Sequence, residues 1–219
     1  MLIEAAVVDR ATVKYADFLL AAGFLVAFYA ALLSPLRADP RYPDWPCMQP
    51  KVPELSAAAM WNGPSIADVG NKWQDDPKIK DLVELIAARR TSLEAAQKAI
   101  AESLVGTPAE KEQKAKEVFA GLFDTLGGQR RELMDGIERV SRKEVDLAAK
   151  IKSDVARLRE LQDKPDADQT EIQSLASEIE WSTRIFEDRR KTIRYVCEVP
   201  TTIEQRIFAL ARTIQQNLN

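Results

Sequence analysis

Histidine is absent from this chain of 219 residues. It is the most common general base in enzymes, the usual activator of serine and cysteine nucleophiles, and the most common ligand of transition metals. Its absence excludes enzymes that depend on a Ser-His-Asp or Cys-His arrangement. Because the chain also has only two cysteines, we expect no zinc or copper site.

Glycine is scarce as well, with eight residues in the whole chain. The motifs G-x-x-x-x-G-K-[ST], G-x-G-x-x-G and G-x-S-x-G, which bind phosphate groups or present a nucleophile, are all missing. The redox motif C-x-x-C and the calcium loop D-x-D-x-D-G are missing too. We therefore expect no catalytic residues, no cofactor and no metal ion, and we predict that the protein is not an enzyme.

Neither sign of charge is in large excess. The 31 basic and 34 acidic side chains give a formal net charge of −3. Proteins that bind nucleic acid without sequence preference carry a basic excess, so we expect no nucleic-acid partner. With 46% hydrophobic and 30% charged residues, the composition favours a folded, all-α protein with a packed core.

The longest uncharged run lies near the N-terminus. Residues 18–36 carry no charge, with Lys14 before them and Arg37 after them. A buried core helix is the less favoured interpretation of this run, since the run lacks an amphipathic period. We predict instead that residues 1–38 are either a secretory signal peptide that is cleaved at its end or an uncleaved signal anchor, because the run has about the minimum length that spans a bilayer. Both alternatives predict a protein that is periplasmic, secreted, or anchored to the inner membrane and facing the periplasm.

Residues 39–76, which we call the strap, are rich in proline and tryptophan. Three of the four tryptophans lie here, at Trp45, Trp61 and Trp73. Proline at this density blocks helices and central strands, whereas tryptophan has a large apolar area that favours burial. We predict an irregular segment that lies across a helical body and is held by its tryptophans, with one or two helical turns at residues 55–61.

Helix signals dominate residues 77–219. An apolar stripe with a spacing of seven predicts one helix over residues 77–104. Residues 107–110 read Thr-Pro-Ala-Glu, a capping box that starts a second helix, and the glycines at 127–128 predict a kink or short break in it. A third helix follows Pro165, and a second capping-box sequence at 201–204 predicts the start of the last helix.

Two matched apolar stripes lie on either side of Pro165. Folding the chain back there pairs Leu158 with Ile172, Ile151 with Ile179, and Ile137 with Ile193. This sustained spacing predicts an antiparallel coiled-coil hairpin at about residues 129–197 on a small helical body. Five polar residues interrupt the seam, and we expect them to set its register: Arg130, Glu144, Asp154, Ser182 and Arg189.

The two cysteines are Cys47 in the strap and Cys197 at the end of the predicted hairpin. A small, even number of cysteines in an exported protein usually forms disulfides. Folding the hairpin places Cys197 opposite Leu133, at the hairpin base, where the strap has to cross. We therefore predict a disulfide between Cys47 and Cys197, and the alternative is two unpaired buried thiols.

Short strings around these cysteines resemble exported bacterial helical proteins that belong to no named family. The strings are residues 44–47, 51–55, 197–200 and 203–206. The resemblance transfers no function to this chain.

Together these features favour a non-catalytic interaction or scaffold protein, periplasmic or membrane-anchored, that presents a helical hairpin to a partner. Two alternatives remain, a holdase-type periplasmic chaperone and an adaptor component of an export pump. The expected partner is a protein, either part of a membrane complex or a second copy of this chain. Residues 18–36 would contact the membrane if they are not cleaved.

Export is the first testable prediction. We expect residues 1–60, fused to a reporter that is active only outside the cytoplasm, to give reporter activity, because residues 18–36 direct export. A matched fusion that carries Leu25→Arg places a charge in the apolar run and should be inactive. An intact but silent unaltered fusion in the cytosol would contradict the prediction.

Overall fold

The computed structural model describes residues 40–218. The signal peptide or anchor predicted at residues 1–38 lies outside this range and stays a prediction. The described residues form six α-helices, one 3₁₀ turn and no β-strand, which confirms the all-α class. None of the helices in this range is long and apolar enough to cross a bilayer.

The helices follow one another through short connections, apart from the mostly irregular strap. In chain order the elements are α1 (Ala57–Met60), a 3₁₀ turn (Lys72–Gln74), α2 (Pro77–Ala87), α3 (Leu93–Ser103), α4 (Pro108–Gln162), α5 (Gln169–Val196) and α6 (Val199–Gln216). Helix α4 alone has 55 residues, about 80 Å at 1.5 Å per residue. It begins with the predicted capping box, in which the Thr107 hydroxyl and the Glu110 carboxylate each accept a hydrogen bond from the other's backbone N–H.

Helices α2, α3, α6 and the first half of α4 share one hydrophobic core, and we call this part the body. Phe119 of α4 is fully buried there and stacks on Trp61 of the strap, with ring centroids 4.4 Å apart. Trp73 is also buried, next to Gly121 of α4. The other large, fully buried side chains include Ile86, Ile100, Leu122, Leu126, Ile207, Leu210 and Ile214. Two strap tryptophans are therefore core residues of the body.

The structure corrects the prediction of a single helix over residues 77–104, because a turn separates α2 from α3. Ser92 caps α3 by accepting a hydrogen bond from the Ala95 backbone N–H at 3.1 Å. The side chain of Arg206 in α6 donates to three carbonyl oxygens, that of Ile86 in the last turn of α2 and those of Ala88 and Thr91 in the connection. It satisfies carbonyls that an uninterrupted helix would have bonded internally. Burial lowers the pKa of the Arg206 guanidinium.

A break at residues 127–128, one of the two predicted alternatives, does not occur, because α4 continues through both glycines; the predicted kink stays a prediction. A glycine inside a helix costs about 1 kcal/mol relative to alanine. Tertiary contacts on either side offset that cost: Leu126 is buried in the body core, and Arg130 forms a buried ion pair. Packing on both sides therefore favours an uninterrupted helix through this locally weak sequence.

Helix α6 begins two residues before the predicted capping box at residues 201–204. It starts at Val199 and has Pro200 in its first turn. Proline is tolerated there because the first N–H groups of a helix have no intrahelical acceptor. Only Cys197 and Glu198 separate α5 from α6. The connection between the two helices is therefore made at the cysteine.

A change at Gly121 tests how closely the strap packs on α4. A Cβ atom at this position would lie 2.8 Å from both the Trp73 ring and the Val83 side chain. We expect Gly121→Ala to lower the free energy of unfolding by about 1–3 kcal/mol, because the core has no room for the methyl group. Urea unfolding followed by circular dichroism measures the change.

Gly128→Ala is the matched control on the same helix. The nearest atom to its Cβ, on the Arg131 side chain, is 3.9 Å away. This variant should be neutral or should stabilise the protein by up to about 1 kcal/mol. Equal stability of the two variants would contradict the described packing.

Candidate partner-binding surface

The second half of α4 and all of α5 form a pair that extends away from the body core, and we call residues 129–162 and 169–196 the arm. Three ion pairs join the helices: Arg157 with Glu171, Lys150 with Glu178, and Arg189 with Glu144. Residue numbers rise along α4 as they fall along α5, so the helices run antiparallel. Lys150 Nζ donates to the carboxylates of Asp154 and Glu178, and these hydrogen bonds raise the pKa of Lys150.

The strap is joined to the base of the arm at the two cysteines. Cys47 and Cys197 lie at disulfide distance, with an S–S separation of 1.98 Å and a Cα–Cα separation of 5.5 Å. Gln49 reinforces the junction, because its Nε2 donates to the Cys197 carbonyl oxygen at 2.7 Å. Trp45 Nε1 in turn donates to the Gln49 carbonyl oxygen at 2.8 Å, which orders the segment around the bond.

Two further ion pairs hold the strap along one side of α4. Lys51 Nζ donates to Glu138 Oε1 at 2.6 Å, and Arg142 Nη1 donates to Asp44 Oδ2 at 2.9 Å. Glu138 and Arg142 are four residues apart and thus share one face of the helix. No local spacing in the sequence connects these partners, and sequence reasoning missed them.

Arg130 has a role that the sequence does not predict. The seam prediction places it between α4 and α5, but its Nε donates to Glu204 of α6 at 2.6 Å. Its Nη2 donates to the Val52 carbonyl oxygen of the strap at 2.7 Å. The side chain is only 3% exposed, so its charge depends on these partners. Arg130 lies at the base of the arm, where α4 still contacts α6.

The other predicted seam residues divide into two groups. Glu144 and Arg189 meet across the arm, where Arg189 Nη1 donates to Glu144 Oε1 at 3.2 Å, and Ser182 is buried. Asp154 instead pairs with Lys150 of its own helix. The structure therefore brings together only some of the residues expected to set the register.

An apolar groove of about 540 Å³ opens between α4 and α5 near the arm base. Its floor consists of Leu133, Gly136, Ile137, Val140, Ile193 and Val196, and polar side chains at its rim include Glu132, Arg139 and Arg189. Arg142, which faces the strap, follows Leu133 by nine residues or two and a half helical turns. The groove thus opens on the side of α4 away from the strap.

The groove continues into a second cavity of about 380 Å³ towards the body. Leu133 and Gln129 line both, and the second cavity adds Leu126, Ile203 and the stem of Arg206. From Leu126 to Val140 the combined surface follows α4 for about 21 Å at 1.5 Å per residue. This length matches about four turns of a helix laid against it.

Within residues 40–218, no group of three or more acidic, cysteine or histidine side chains is arranged to hold a metal ion. Comparisons with known protein families, with curated proteins and with solved structures find no match for this chain.

The cysteine pair generates a prediction about the strap. Replacing both Cys47 and Cys197 by serine opens a loop with a sequence separation of 150 residues, and the loss of that constraint should cost at most about 5 kcal/mol. We expect a lower melting temperature and early proteolysis within residues 40–53, while the arm helices persist. Limited proteolysis with mass spectrometry measures the order of cleavage.

The unaltered protein in reductant should behave like the double-serine variant. Unchanged melting and unchanged cleavage of residues 40–53 in both samples would show that no covalent link braces the strap.

Proposed function

We propose that this chain is a non-catalytic, extracytoplasmic interaction protein that binds a partner protein along the arm, which in this proposal is an antiparallel coiled-coil hairpin. The observation that carries the proposal is the solvent-open apolar groove between α4 and α5. Soluble proteins seldom leave contiguous apolar surface exposed without a use for it. An apolar floor with a polar rim is the arrangement by which grooves bind amphipathic helices.

The charges at the rim indicate what the partner carries. Arg139 has no ion-pair partner among the described residues, and its side chain reaches to within 3.7 Å of the Cβ position at Gly136. Arg189 is half-exposed although it pairs with Glu144. The rim of the groove therefore has two cationic side chains, Arg139 and Arg189, and one carboxylate, Glu132. We therefore infer a partner helix whose apolar face is flanked by acidic residues.

The contacts at the base of the arm favour binding of a partner without a change in the conformation of the groove. The Arg130–Glu204 pair and the Cys47–Cys197 junction both lie at the arm base. A surface that is held in its binding conformation loses less conformational entropy when a partner associates. The groove is therefore suited to act as a preformed site.

Two features support the extracytoplasmic location. Residues 18–36 form an uncharged apolar run that follows a lysine, and a cysteine pair at disulfide distance is typical of proteins in oxidising compartments. In this proposal the body and arm function outside the cytoplasm, where the disulfide persists.

The groove can be tested by filling it without disturbing the fold. Gly136 lines the floor, and a Cβ there meets only the end of the Arg139 side chain. We place the photo-crosslinking residue benzoylphenylalanine at Val140, which is partly exposed in the groove. In the native host, illumination should give a discrete adduct with a partner, and Gly136→Leu should reduce that adduct about tenfold because it occupies the site.

Gly128→Leu serves as the control, since it adds the same side chain to the same helix outside the groove. The amount of adduct formed by Gly128→Leu should equal the amount formed by the protein with both native glycines. An adduct that survives Gly136→Leu, or that disappears equally in Gly128→Leu, would place the contact elsewhere and contradict the proposal.

A further inference from the structure

A further cavity, separate from the groove and from the cavity that continues it, lies on the strap side of the arm. It has a volume of about 420 Å³ and lies between strap residues and both arm helices; we call it the strap pocket. Its lining includes Met48, Glu144, Val145, Phe186, Arg190 and Arg194. Met48 and Val145 are strongly exposed, at 84% and 67%. The volume is in the range of sites that hold small organic groups.

Glu144 lines the strap pocket, and one of its carboxylate oxygens has no hydrogen-bond partner within residues 40–218. The residue is only 6% exposed, and its Oε1 atom accepts from Arg189. Its Oε2 atom is buried and has no hydrogen-bond partner among the described residues. A buried acceptor without a donor is costly, so an incoming group whose donor reached Oε2 from the strap pocket would be stabilising.

The arginines of the strap pocket define the rest of that group. The Arg190 guanidinium lies over the Phe186 ring, 5.6 Å from its centroid. Neither Arg190 nor Arg194 pairs with a carboxylate within the described part of the chain. The best occupant is therefore an apolar ring that carries an N–H donor and has acidic groups beside it. A tryptophan indole has this donor and no acceptor, and arginine stacks favourably on its face.

The chain itself presents such a group on α5. Trp181 is 62% exposed, and Glu178, three residues earlier and half-exposed although it pairs with Lys150, lies on the same face of the helix. Trp181 precedes Arg190 by nine residues, two and a half helical turns, so it lies on the opposite side of α5 from the strap pocket. One copy therefore cannot fill its own pocket, whereas a second copy can.

We propose that Trp181 of one copy enters the strap pocket of a second copy, where its indole N–H donates to Glu144 Oε2 and its ring packs against Arg190 or Arg194. Because the inserted side chain and the pocket lie on opposite sides of the arm, each copy uses one surface to insert and another to receive. Such a heterologous contact repeats from copy to copy. It uses the pocket rather than the groove, and so it is independent of the proposed function.

The first experiment co-expresses two differently tagged copies of the full chain and measures how much of one is captured through the other. We expect capture with the native sequence and a loss of about tenfold with Trp181→Ala, since a buried tryptophan often dominates an interface. Trp181→Phe keeps the ring but removes the donor, and it should fall between these two values. Tyr195→Ala, at another exposed aromatic residue of α5, is the matched control and should capture normally.

Complementation distinguishes insertion from other modes of self-association. Ala148→Phe fills the strap pocket, because Ala148 is one of its lining residues. Neither Trp181→Ala nor Ala148→Phe should capture a copy of itself. A Trp181→Ala copy and an Ala148→Phe copy should nevertheless capture each other, because the pair retains one intact tryptophan and one intact pocket.

Circular dichroism and thiol labelling confirm that each variant has folded before its capture is scored. The absence of self-capture by the native sequence would overturn the proposal. Full self-capture by Trp181→Ala would also overturn it, and so would the failure of complementation between folded variants.

Discussion

The buried guanidinium of Arg130 joins the three parts of this structure. It links α4 to Glu204 of α6 and to the strap through the carbonyl oxygen of Val52. Removing one partner of a buried ion pair typically costs about 3–5 kcal/mol, because the remaining charge stays uncompensated. Arg130 thereby connects α4 to the body and to the strap at the base of the arm.

The strap depends on the same region of α4. Cys47, Lys51 and Val52 are held within one short segment by contacts to Cys197, Glu138 and Arg130 respectively. Further along, Trp61 and Trp73 are buried in the body. The strap has few regular hydrogen bonds of its own, so side-chain contacts decide its path. That path leaves the groove open on one side of the arm and forms part of the strap pocket on the other.

Local signals predicted where two helices begin. Helix α4 begins at the predicted capping box of Thr107 and Glu110, and α2 begins at Pro77, the predicted first residue of its helix, because capping bonds connect residues only two or three apart. The same approach predicted a kink or a break at Gly127 and Gly128, where the break does not occur, and it missed the turn before Ser92. In both places contacts to α6 decide the outcome, and α6 is remote in sequence.

The sequence by itself determined the helical class, the capped start of α4 and the presence of exactly one possible cysteine pair, since each rests on composition or short-range bonding. Only the tertiary structure decided the partner of Arg130, the turn bound by Arg206 and the lining of the groove. The Arg206 side chain meets the Ile86 carbonyl oxygen across 120 residues of sequence. Periodicity shows that a residue is polar or apolar on a helix face, but its partner is set by how the helices pack.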